Sequence, residues 1–381
     1  MSDSPKFNTY SKRRPVVLIV PLDWGLGHVT RCIPIISYLL EVGCEVIAGA
    51  EVAQKALLLQ EFPDLNIIDL SGYRMKYGYS SWHTRWRIMT QSAKILTKIN
   101  KEKRWLDQLL ENQHIDVIIS DNRFGLHSSH VKSIFISHQL AIQTGLGSIA
   151  DQLIQRFNYH FINKFSACWI PDEEGENNLA GALSHPKNLP AIPVKYIGLL
   201  SRFNSILPRT NFAAQRPNLN DKVKLLIILS GPEPQRSIFE KILLKELQQY
   251  HEPVDFVRGL PGEVDQIDAF NQVSVYNHLP AEILFQKIKC SHIIISRSGY
   301  STVMDLLTQG KKCLFVATPG QSEQEYLAKY LMKKKLCIAI DQDKFSLKVA
   351  IEQAKSLNEP AKPYRINQFQ SAIDDMLKQL R

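Results

Sequence analysis

The sequence predicts an α/β protein made of two Rossmann-like, doubly wound parallel-sheet domains that face each other across a cleft. Short apolar runs alternate with segments whose apolar residues recur at helical spacing, a pattern typical of parallel strands joined by right-handed crossovers. This alternation occurs twice, and a stretch rich in Pro and Asn separates the two series. With 381 residues, the chain is long enough for two domains of ordinary size.

The composition of the chain predicts the class of protein, and its sequence pattern predicts a division into five parts. Apolar content of 44% and charged content of 22% are typical of a globular protein, and no apolar run reaches the roughly 20 residues that cross a bilayer. We therefore expect a cytoplasmic protein, and the basic segment described below makes a peripheral location on the inner face of the cell membrane an open alternative. Its predicted parts are a disordered leader at 1–13, an N-terminal domain at 14–200, a linker at 201–221, a C-terminal domain at 222–358, and a C-terminal helix at 359–381 that packs back on the N-terminal domain.

The first apolar run, 16–20, leads into a loop that contains two glycines. Gly25 and Gly27 let the backbone turn sharply and approach a ligand, and the helix that follows offers free N–H groups to an anion. His28 is a group able to move a proton near neutral pH. Taken alone, this stretch fits equally well a ligand-binding loop or a strand–helix corner that a histidine caps.

Five more strands are predicted in the first half, and two of them end in polar residues. Asp121 follows the strand at 116–120, and His138 follows the strand at 133–137. Because ligands bind at the carboxyl ends of parallel strands, we expect these two residues and His28 to share one edge of the sheet. The other predicted strands lie at 45–49, 65–70 and 167–170, with helices near 33–40, 52–60, 87–111 and 148–164.

Most of the positive charge of the chain lies in one segment, from Tyr73 to Arg104. Nine Lys or Arg and a single acid occur there, whereas the formal net charge of the whole chain is +9. Basic residues interleaved with aromatic ones suit a membrane interface, an anionic acceptor or single-stranded nucleic acid, and a solvated helix face is the simpler alternative. We interpret the segment as an acceptor-binding or membrane-facing surface that includes Arg74, Trp82, Arg85, Trp86 and Arg87.

The strand at 293–295 in the second half leads into Ser296-Arg297-Ser298-Gly299-Tyr300-Ser301-Thr302. Backbone N–H groups, small hydroxyls and the helix dipole can hold a diphosphate there without the lysine of a P-loop. Asp305, one turn further on, is placed to accept hydrogen bonds from a ribose, although acids are also common as surface charges early in helices. The remaining strands of this half are predicted at 223–229, 254–257, 273–276 and 312–316.

No metal site and no cofactor are expected. None of the six cysteines is spaced as CxxC, which argues against zinc and against a disulfide framework. Asp341 and Asp343 form a two-residue DxD pattern that arises often by chance, and we interpret it as a surface turn. His127 and His130 have no third ligand nearby. The patterns GxxxxGK[ST] and GxGxxG are also absent, so we expect neither an NTPase nor an NAD enzyme.

Four motifs in register resemble those of glycosyltransferases with the GT-B fold. They are Gly25-x-Gly27-His28, Ser230-Gly231 with Arg236, the run from Ser296 to Asp305, and Gln324-Glu325. The similarity is greatest to family 28, the group that includes the UDP-N-acetylglucosamine transferase of peptidoglycan lipid-precursor synthesis. It spans both halves and is stronger in the second.

The resemblance implies inverting, metal-independent transfer from a nucleotide sugar, usually a UDP-sugar, to an acceptor hydroxyl. His28 would be the general base, and Gly27 would let the backbone approach the donor phosphates. Asp23 or Asp121 could replace His28, since some enzymes of this fold use an acid as the base. The donor site would comprise Ser230, Gly231 and Arg236, with His278 and Leu279 beside the nucleobase. Ser298, Gly299, Ser301 and Thr302 would hold the diphosphate, Asp305 the ribose, and Gln324 and Glu325 the sugar.

The N-terminal half departs from the family pattern at two places. The loop after the first strand has fewer glycines than that of the peptidoglycan enzyme, and Gln139 replaces the acid that usually follows the histidine at position 138. We therefore do not assign the peptidoglycan reaction. The expected partners are a nucleotide-sugar donor, a sugar or lipid-linked acceptor and an anionic membrane surface, but not nucleic acid. A nucleotide-sugar 2-epimerase and a non-catalytic nucleotide-sugar-binding protein are the alternatives.

Overall fold

A computed structural model describes residues 13–23, 25–70, 72, 92–142, 147–205, 225–262, 267–358, 364 and 367–380. Two sheets organise these residues, one in each half of the chain, and every strand pair within them is parallel. The predicted pair of doubly wound parallel sheets is confirmed. Among the helices in the described ranges, none is both long enough and apolar enough to span a bilayer.

The N-terminal sheet has seven strands in the order β3-β2-β1-β4-β5-β6-β7. The strands are β1 (Val16–Pro21), β2 (Glu45–Ala50), β3 (Asn66–Asp69), β4 (Val117–Asp121), β5 (Lys132–Ile136), β6 (Ala167–Ile170) and β7 (Val194–Tyr196). The helices described in this half are α1 (Gly27–Glu41), α2 (Val52–Glu61), α3 (Ser92–Asn112) and α4 (Ser148–Ile162).

The C-terminal sheet has six strands in the order β10-β9-β8-β11-β12-β13. The strands are β8 (Leu225–Ile228), β9 (Val254–Val257), β10 (Val273–Tyr276), β11 (Ile293–Ser296), β12 (Lys312–Phe315) and β13 (Ile338–Ala339). The helices are α5 (Gln235–Leu247), α6 (Ala281–Cys290), α7 (Tyr300–Leu307), α8 (Ser322–Lys333), α9 (Leu347–Ser356) and α10 (Gln368–Lys378).

One central strand of each sheet, β1 and β11, is buried along its whole length. All six residues of β1 and all four of β11 are buried, as expected where helices cover both faces of a parallel sheet. Their apolar runs therefore have no alternating polar face, which made them easy to recognise in the sequence. The edge strand β3, by contrast, has exposed residues at both ends.

The C-terminal helix α10 lies against the N-terminal domain. Tyr38 of α1 donates a hydrogen bond from its hydroxyl to Asp374 Oδ1 at 2.9 Å, and its ring meets Phe369 edge to face. Lys195 of β7 forms an ion pair with Asp375 at 2.8 Å. The chain thus crosses back after completing the second sheet, and these contacts tie its two halves together.

Candidate functional site

Each sheet has one point at which the strand order reverses. It lies between β1 and β4 in the N-terminal sheet and between β8 and β11 in the C-terminal sheet. Crossovers leave such a pair of strands in opposite directions, so a crevice opens at their carboxyl ends. His28 follows β1 and Asp121 ends β4, whereas Ser230 follows β8 and Ser298 follows β11. The residues selected from the sequence therefore lie at the two places where this topology favours a ligand.

The first turns of α1 and α7 touch, and this contact joins the two crevices. The hydroxyl of Ser301 donates a hydrogen bond to the carbonyl oxygen of Gly27 at 2.6 Å. A Cβ atom at position 27 would lie only 3.2 Å from that hydroxyl oxygen, so a larger residue there would force the Ser301 side chain to shift. Gly25, just before, has φ +80°, a left-handed conformation that favours glycine. The glycines of this loop therefore permit both the turn and the close approach.

His28 lies in the first turn of α1 and keeps 15% of its side chain exposed. Its Nδ1 is 3.0 Å from Asp121 Oδ2 and 2.6 Å from Arg31 Nη2. Nδ1 can donate to the carboxylate or accept from the guanidinium, and only the first arrangement leaves Nε2 unprotonated. Burial, and next the charge of Arg31, lower the pKa of His28 below its usual 6.5. His28 is therefore neutral at pH 7, as a general base must be.

Asp121 is fully buried and acts as an acceptor for two side chains. Its Oδ2 accepts from Arg31 Nε at 2.8 Å and its Oδ1 from Arg31 Nη2, while His28 Nδ1 also lies beside Oδ2. Burial alone would raise the pKa of this carboxyl group, but the charges of Arg31 and His28 outweigh burial and hold it at about 2. An enclosed carboxylate with so low a pKa is suited to orient His28, and poorly suited to remove a proton itself.

Asp23, the other candidate base, belongs to a separate buried charge group. Its Oδ1 lies 3.6 Å from Arg123 Nη2, and Arg123 Nη1 donates to Glu102 Oε1 at 3.1 Å. Only 4% of the Asp23 side chain is exposed. This pairing gives Asp23 a structural role beneath the loop, and the geometry favours His28 as the base.

His138, which the sequence predicts at this edge of the sheet, contacts two residues that the sequence did not single out, Arg31 and Glu323. His138 is 3% exposed, its Nδ1 lies 3.1 Å from Arg31 Nη1, and its ring stacks on Tyr300 with 4.2 Å between centroids. Its Nε2 lies 2.8 Å from Glu323 Oε1, at the start of α8 in the C-terminal domain. A signal existed for Arg31, since it follows His28 by three residues and shares its helix face. Glu323 gave no such signal: it lies next to Gln324 and Glu325, which fit the family motif, but no pattern in the sequence distinguishes it.

The predicted diphosphate loop is built by interlocking polar bonds. Ser298 donates its hydroxyl proton to the carbonyl oxygen of Gln324 at 2.9 Å, and the side-chain oxygen of Gln324 accepts from the N–H of Thr318 at 2.9 Å. Glu325 Oε1 accepts from the N–H of Gly320 at 2.8 Å. No side chain in the described part of the protein caps α7, so its first N–H groups remain available as donors for an anion. Gly299, its N-cap residue, leaves this approach free of a side chain.

Asp305, predicted to contact a ribose, holds the start of the interdomain connection. Its Oδ1 accepts from the hydroxyl of Ser201 at 2.9 Å and from the N–H of Arg202 at 3.0 Å, and its Oδ2 pairs with Arg202 Nε at 2.8 Å. The carboxylate is 4% exposed. These bonds occupy both oxygens, so the ribose contact stays a prediction that would require them to be exchanged.

The other donor-site candidates surround the second crevice. Gly231 follows β8 with φ +111°, and the Arg236 guanidinium pairs with Glu233 at 2.6 Å and Glu240 at 3.0 Å. His278 is half-buried, and burial, followed by the charge of Arg202, lowers its pKa to about 4. Leu279 is buried in the core and Thr302 is half-buried on α7. The predicted acceptor or membrane residues lie outside the described ranges: Arg74, Trp82, Arg85, Trp86 and Arg87.

Sequence and structure comparisons identify similar proteins. Residues 268–380 match the Glycosyltransferase family 28 C-terminal domain. A UDP-N-acetylglucosamine–N-acetylmuramyl-(pentapeptide) pyrophosphoryl-undecaprenol N-acetylglucosamine transferase of Buchnera aphidicola is 24% identical over 69% of this chain and 70% of its own. Among solved structures, the kitacinnamycin glycotransferase covers 97% of this chain and 96% of its own (TM-score 0.63, 13% identity), and Acinetobacter baumannii MurG covers 96% and 100% (TM-score 0.55, 15% identity).

The facing sheets, the motifs at their reversal points and these similarities define a glycosyltransferase of the GT-B fold. Within that class the chain is family-28-like, because its C-terminal part matches the domain model of that family and its relatives include the Buchnera transferase. In the described part of the chain, no group of three His, Cys, Asp or Glu is arranged to hold a metal ion.

Proposed function

We propose that the protein transfers a sugar from a nucleotide donor to an acceptor hydroxyl, with inversion at the anomeric carbon and without a metal ion. The observation that carries this proposal is the His28–Asp121 pair opposite the N-terminus of α7, with Gly27 and Ser301 in contact between them. In this proposal His28 is a neutral base on one side of the cleft, and the first N–H groups of α7 are donors for an anion on the other.

The chemistry needs both sides of the cleft. His28 Nε2 takes the proton of the acceptor hydroxyl, whose oxygen attacks the anomeric carbon from the face opposite the diphosphate. The bond between that carbon and the diphosphate oxygen breaks, and its electron pair leaves with the nucleotide. N–H groups at the start of α7 and hydroxyls such as that of Thr302 stabilise the new negative charge.

The proposed donor is a UDP-hexose or a UDP-N-acetylhexosamine. The name of the Buchnera relative specifies UDP-N-acetylglucosamine, and the match of residues 268–380 covers the loop and helix that would hold the diphosphate. In this proposal Ser298, Gly299 and Thr302 bind the diphosphate, and residues at the start of α8 contact the sugar.

The donor and the reaction type can be tested together. The protein is incubated with a panel of nucleotide sugars and of lipid-linked sugar acceptors in the presence of EDTA, and UDP release is measured together with the configuration of the sugar that remains on the donor. Release of UDP from one or two donors, undiminished by EDTA, is expected. Interconversion of UDP-N-acetylglucosamine with its 2-epimer would identify an epimerase, and saturable binding without turnover would identify a binding protein; either result contradicts the proposal.

We further propose that the acceptor is lipid-linked and is reached at an anionic membrane surface, on the inner face of the cell membrane. Helix α4 exposes Ile149, Leu153 and Phe157, at 76%, 59% and 46%, along one face. Arg156 on this helix and Lys164 just after it are also exposed, which suits contact with anionic headgroups. Asn158, on the same helix, donates to the carbonyl oxygen of Gln139 at 3.4 Å, next to His138. Helix α4 therefore lies next to the segment that carries His138.

Flotation with vesicles tests the membrane contact. The double variant Leu153→Asn/Phe157→Asn is expected to lose most binding to phosphatidylglycerol vesicles at low salt, because it removes two exposed apolar side chains. The matched control is Val349→Asn, since Val349 is 48% exposed on α9 of the other domain. Equal recruitment of all three proteins, or no recruitment of the unaltered protein, would contradict a membrane surface on α4.

A further inference from the structure

The guanidinium group of Arg31 occupies the centre of the cleft network. Only 2% of its side chain is exposed. Nε and Nη2 donate to the two oxygens of Asp121, Nη2 also lies 2.6 Å from His28 Nδ1, and Nη1 lies 3.1 Å from His138 Nδ1. One planar side chain therefore contacts the candidate base, the carboxylate beside that base, and a second histidine.

These contacts define the proton positions around Arg31. Arginine is always a donor, so His138 Nδ1 accepts from it, and the proton of His138 resides on Nε2. Nε2–H then donates to Glu323 Oε1, 2.8 Å away on α8. The bonds connect Asp121 in the N-terminal sheet, through Arg31 and His138, to a carboxylate of the C-terminal domain.

The fork-like pairing with Asp121 also affects His28. Two parallel bonds from Arg31 fix the plane of the carboxylate, and its Oδ2 is the oxygen that lies 3.0 Å from His28 Nδ1. This carboxylate can hold the proton on Nδ1, which leaves Nε2 free, when Arg31 Nη2 directs its proton to Asp121 Oδ1 and not to His28 Nδ1. A lysine has one terminal nitrogen and cannot pair with both oxygens while it also reaches His138.

We propose that Arg31 is a positioning residue for sugar transfer, which holds Asp121 against His28 and, through His138, links this pair to Glu323 of the opposite domain. The inference rests on the proposed function, because it takes His28 as the group that receives the acceptor proton. Stability alone does not require this arrangement, since buried ion pairs are often replaceable by apolar residues without loss.

Arg31→Met and Arg31→Lys test the role. We expect Arg31→Met to lower kcat by about 100-fold, because the base loses its fixed orientation, while the KM for the donor is unchanged. Arg31→Lys keeps the charge and should lose less. Arg13→Gln is the control, because Arg13 pairs with Asp116 at 2.9 Å and is 53% exposed. The Arg13 variant should match the unaltered protein.

The pH profile gives a readout that a merely structural role would not change. The charged and titratable groups facing His28 are Arg31 from α1, Asp121 from β4, His138 after β5 and Glu323 from α8. Arg31 lowers the pKa of His28 and Asp121 raises it, so removing Arg31 raises it. The acidic limb of kcat/KM should therefore move to higher pH in Arg31→Met and stay near its original position in Arg31→Lys.

NMR titration of the His28 ring, together with turnover, distinguishes a failure of the proposed role of Arg31 from a failure of the proposed function. The His28 signal is assigned by its loss in His28→Ala, and its titration is compared among the unaltered protein and both Arg31 variants. An upward shift in Arg31→Met supports the role of Arg31, and an unchanged titration or an unchanged kcat in folded Arg31→Met overturns it. If Arg31→Met does not fold, unchanged kcat in Arg31→Lys overturns it. Absence of turnover in the unaltered protein with every donor instead contradicts the proposed function.

Discussion

The loops that follow β1 and β11 have the same architecture and carry different chemistry. Each connects a fully buried central strand to the helix at a reversal point of its sheet. The first loop delivers His28 into a network of charged side chains, with Asp121 and Arg31 enclosed around it. The second delivers serine, glycine and threonine, and its polar bonds are made largely to backbone groups.

The difference shows how one topology supports two tasks. A proton acceptor needs a defined tautomer and a suitable pKa, which buried charges provide around His28. An anion needs many weak donors and close approach of the backbone, which small residues provide around Ser298 and Gly299. The contact between Ser301 and Gly27 brings the two environments together.

The largest effect is expected from Asp121→Asn. The amide can no longer accept from both His28 and Arg31 as the carboxylate does, and it favours the tautomer of His28 that leaves no lone pair on Nε2. We expect kcat to fall by about 10,000-fold, by analogy with the loss of an orienting carboxylate in a catalytic triad. Steady-state kinetics and donor binding by calorimetry measure this effect. Normal turnover would show that the charged first loop has no catalytic role.

A smaller effect, on stability, is expected from Asp305→Asn. This change removes the ion pair with Arg202 but keeps an acceptor for Ser201, so the free energy of unfolding should fall by about 2 kcal/mol in a urea titration. Asp341→Asn is the control, because Asp341 is 72% exposed. Weaker donor binding without loss of stability would instead indicate that Asp305 contacts the ribose and that the donor site includes this part of α7.

The smallest effect is expected from Ser301→Ala. It removes the one hydrogen bond from Ser301 to the carbonyl oxygen of Gly27, which is worth about 1 kcal/mol. The KM for the donor should rise by less than about 10-fold, with kcat nearly unchanged. A loss of kcat comparable to that of Asp121→Asn would mean that the contact between the two loops takes part in catalysis. The loop after β11 would then not be limited to donor binding.

The sequence predicted most strands of both sheets because central parallel strands are continuous apolar runs. It placed His28 and Asp121 at one edge for the same reason, since both follow such runs. It missed β7, a three-residue edge strand with Lys195 at its centre, because so short a run has no pattern of its own. Glu323 could not be found, because its role depends on how the two domains approach each other.

Asp305 shows a further limit of reasoning from motifs. Its spacing from the serine-rich loop fits a ribose ligand, and the sequence does not reveal that residues 201–202 fold back on α7. The bonds from Ser201 and Arg202 arise from contacts more than 100 residues apart along the chain. Local spacing predicted the position of the side chain on the helix, and tertiary structure determined what the side chain meets.

The proposed division of roles, with the general base in the loop after β1 and donor binding in the loop after β11, is tested most directly by a paired comparison of His28→Ala and Thr302→Val. Donor dissociation constants by calorimetry and kcat at saturating donor are measured for both variants and for the unaltered protein. We expect His28→Ala to bind the donor normally while kcat falls by about 100- to 10,000-fold, and Thr302→Val to bind the donor several-fold more weakly with a much smaller change in kcat. Unchanged turnover in His28→Ala, or equal losses of affinity and turnover in both variants, would contradict a separate base and donor loop.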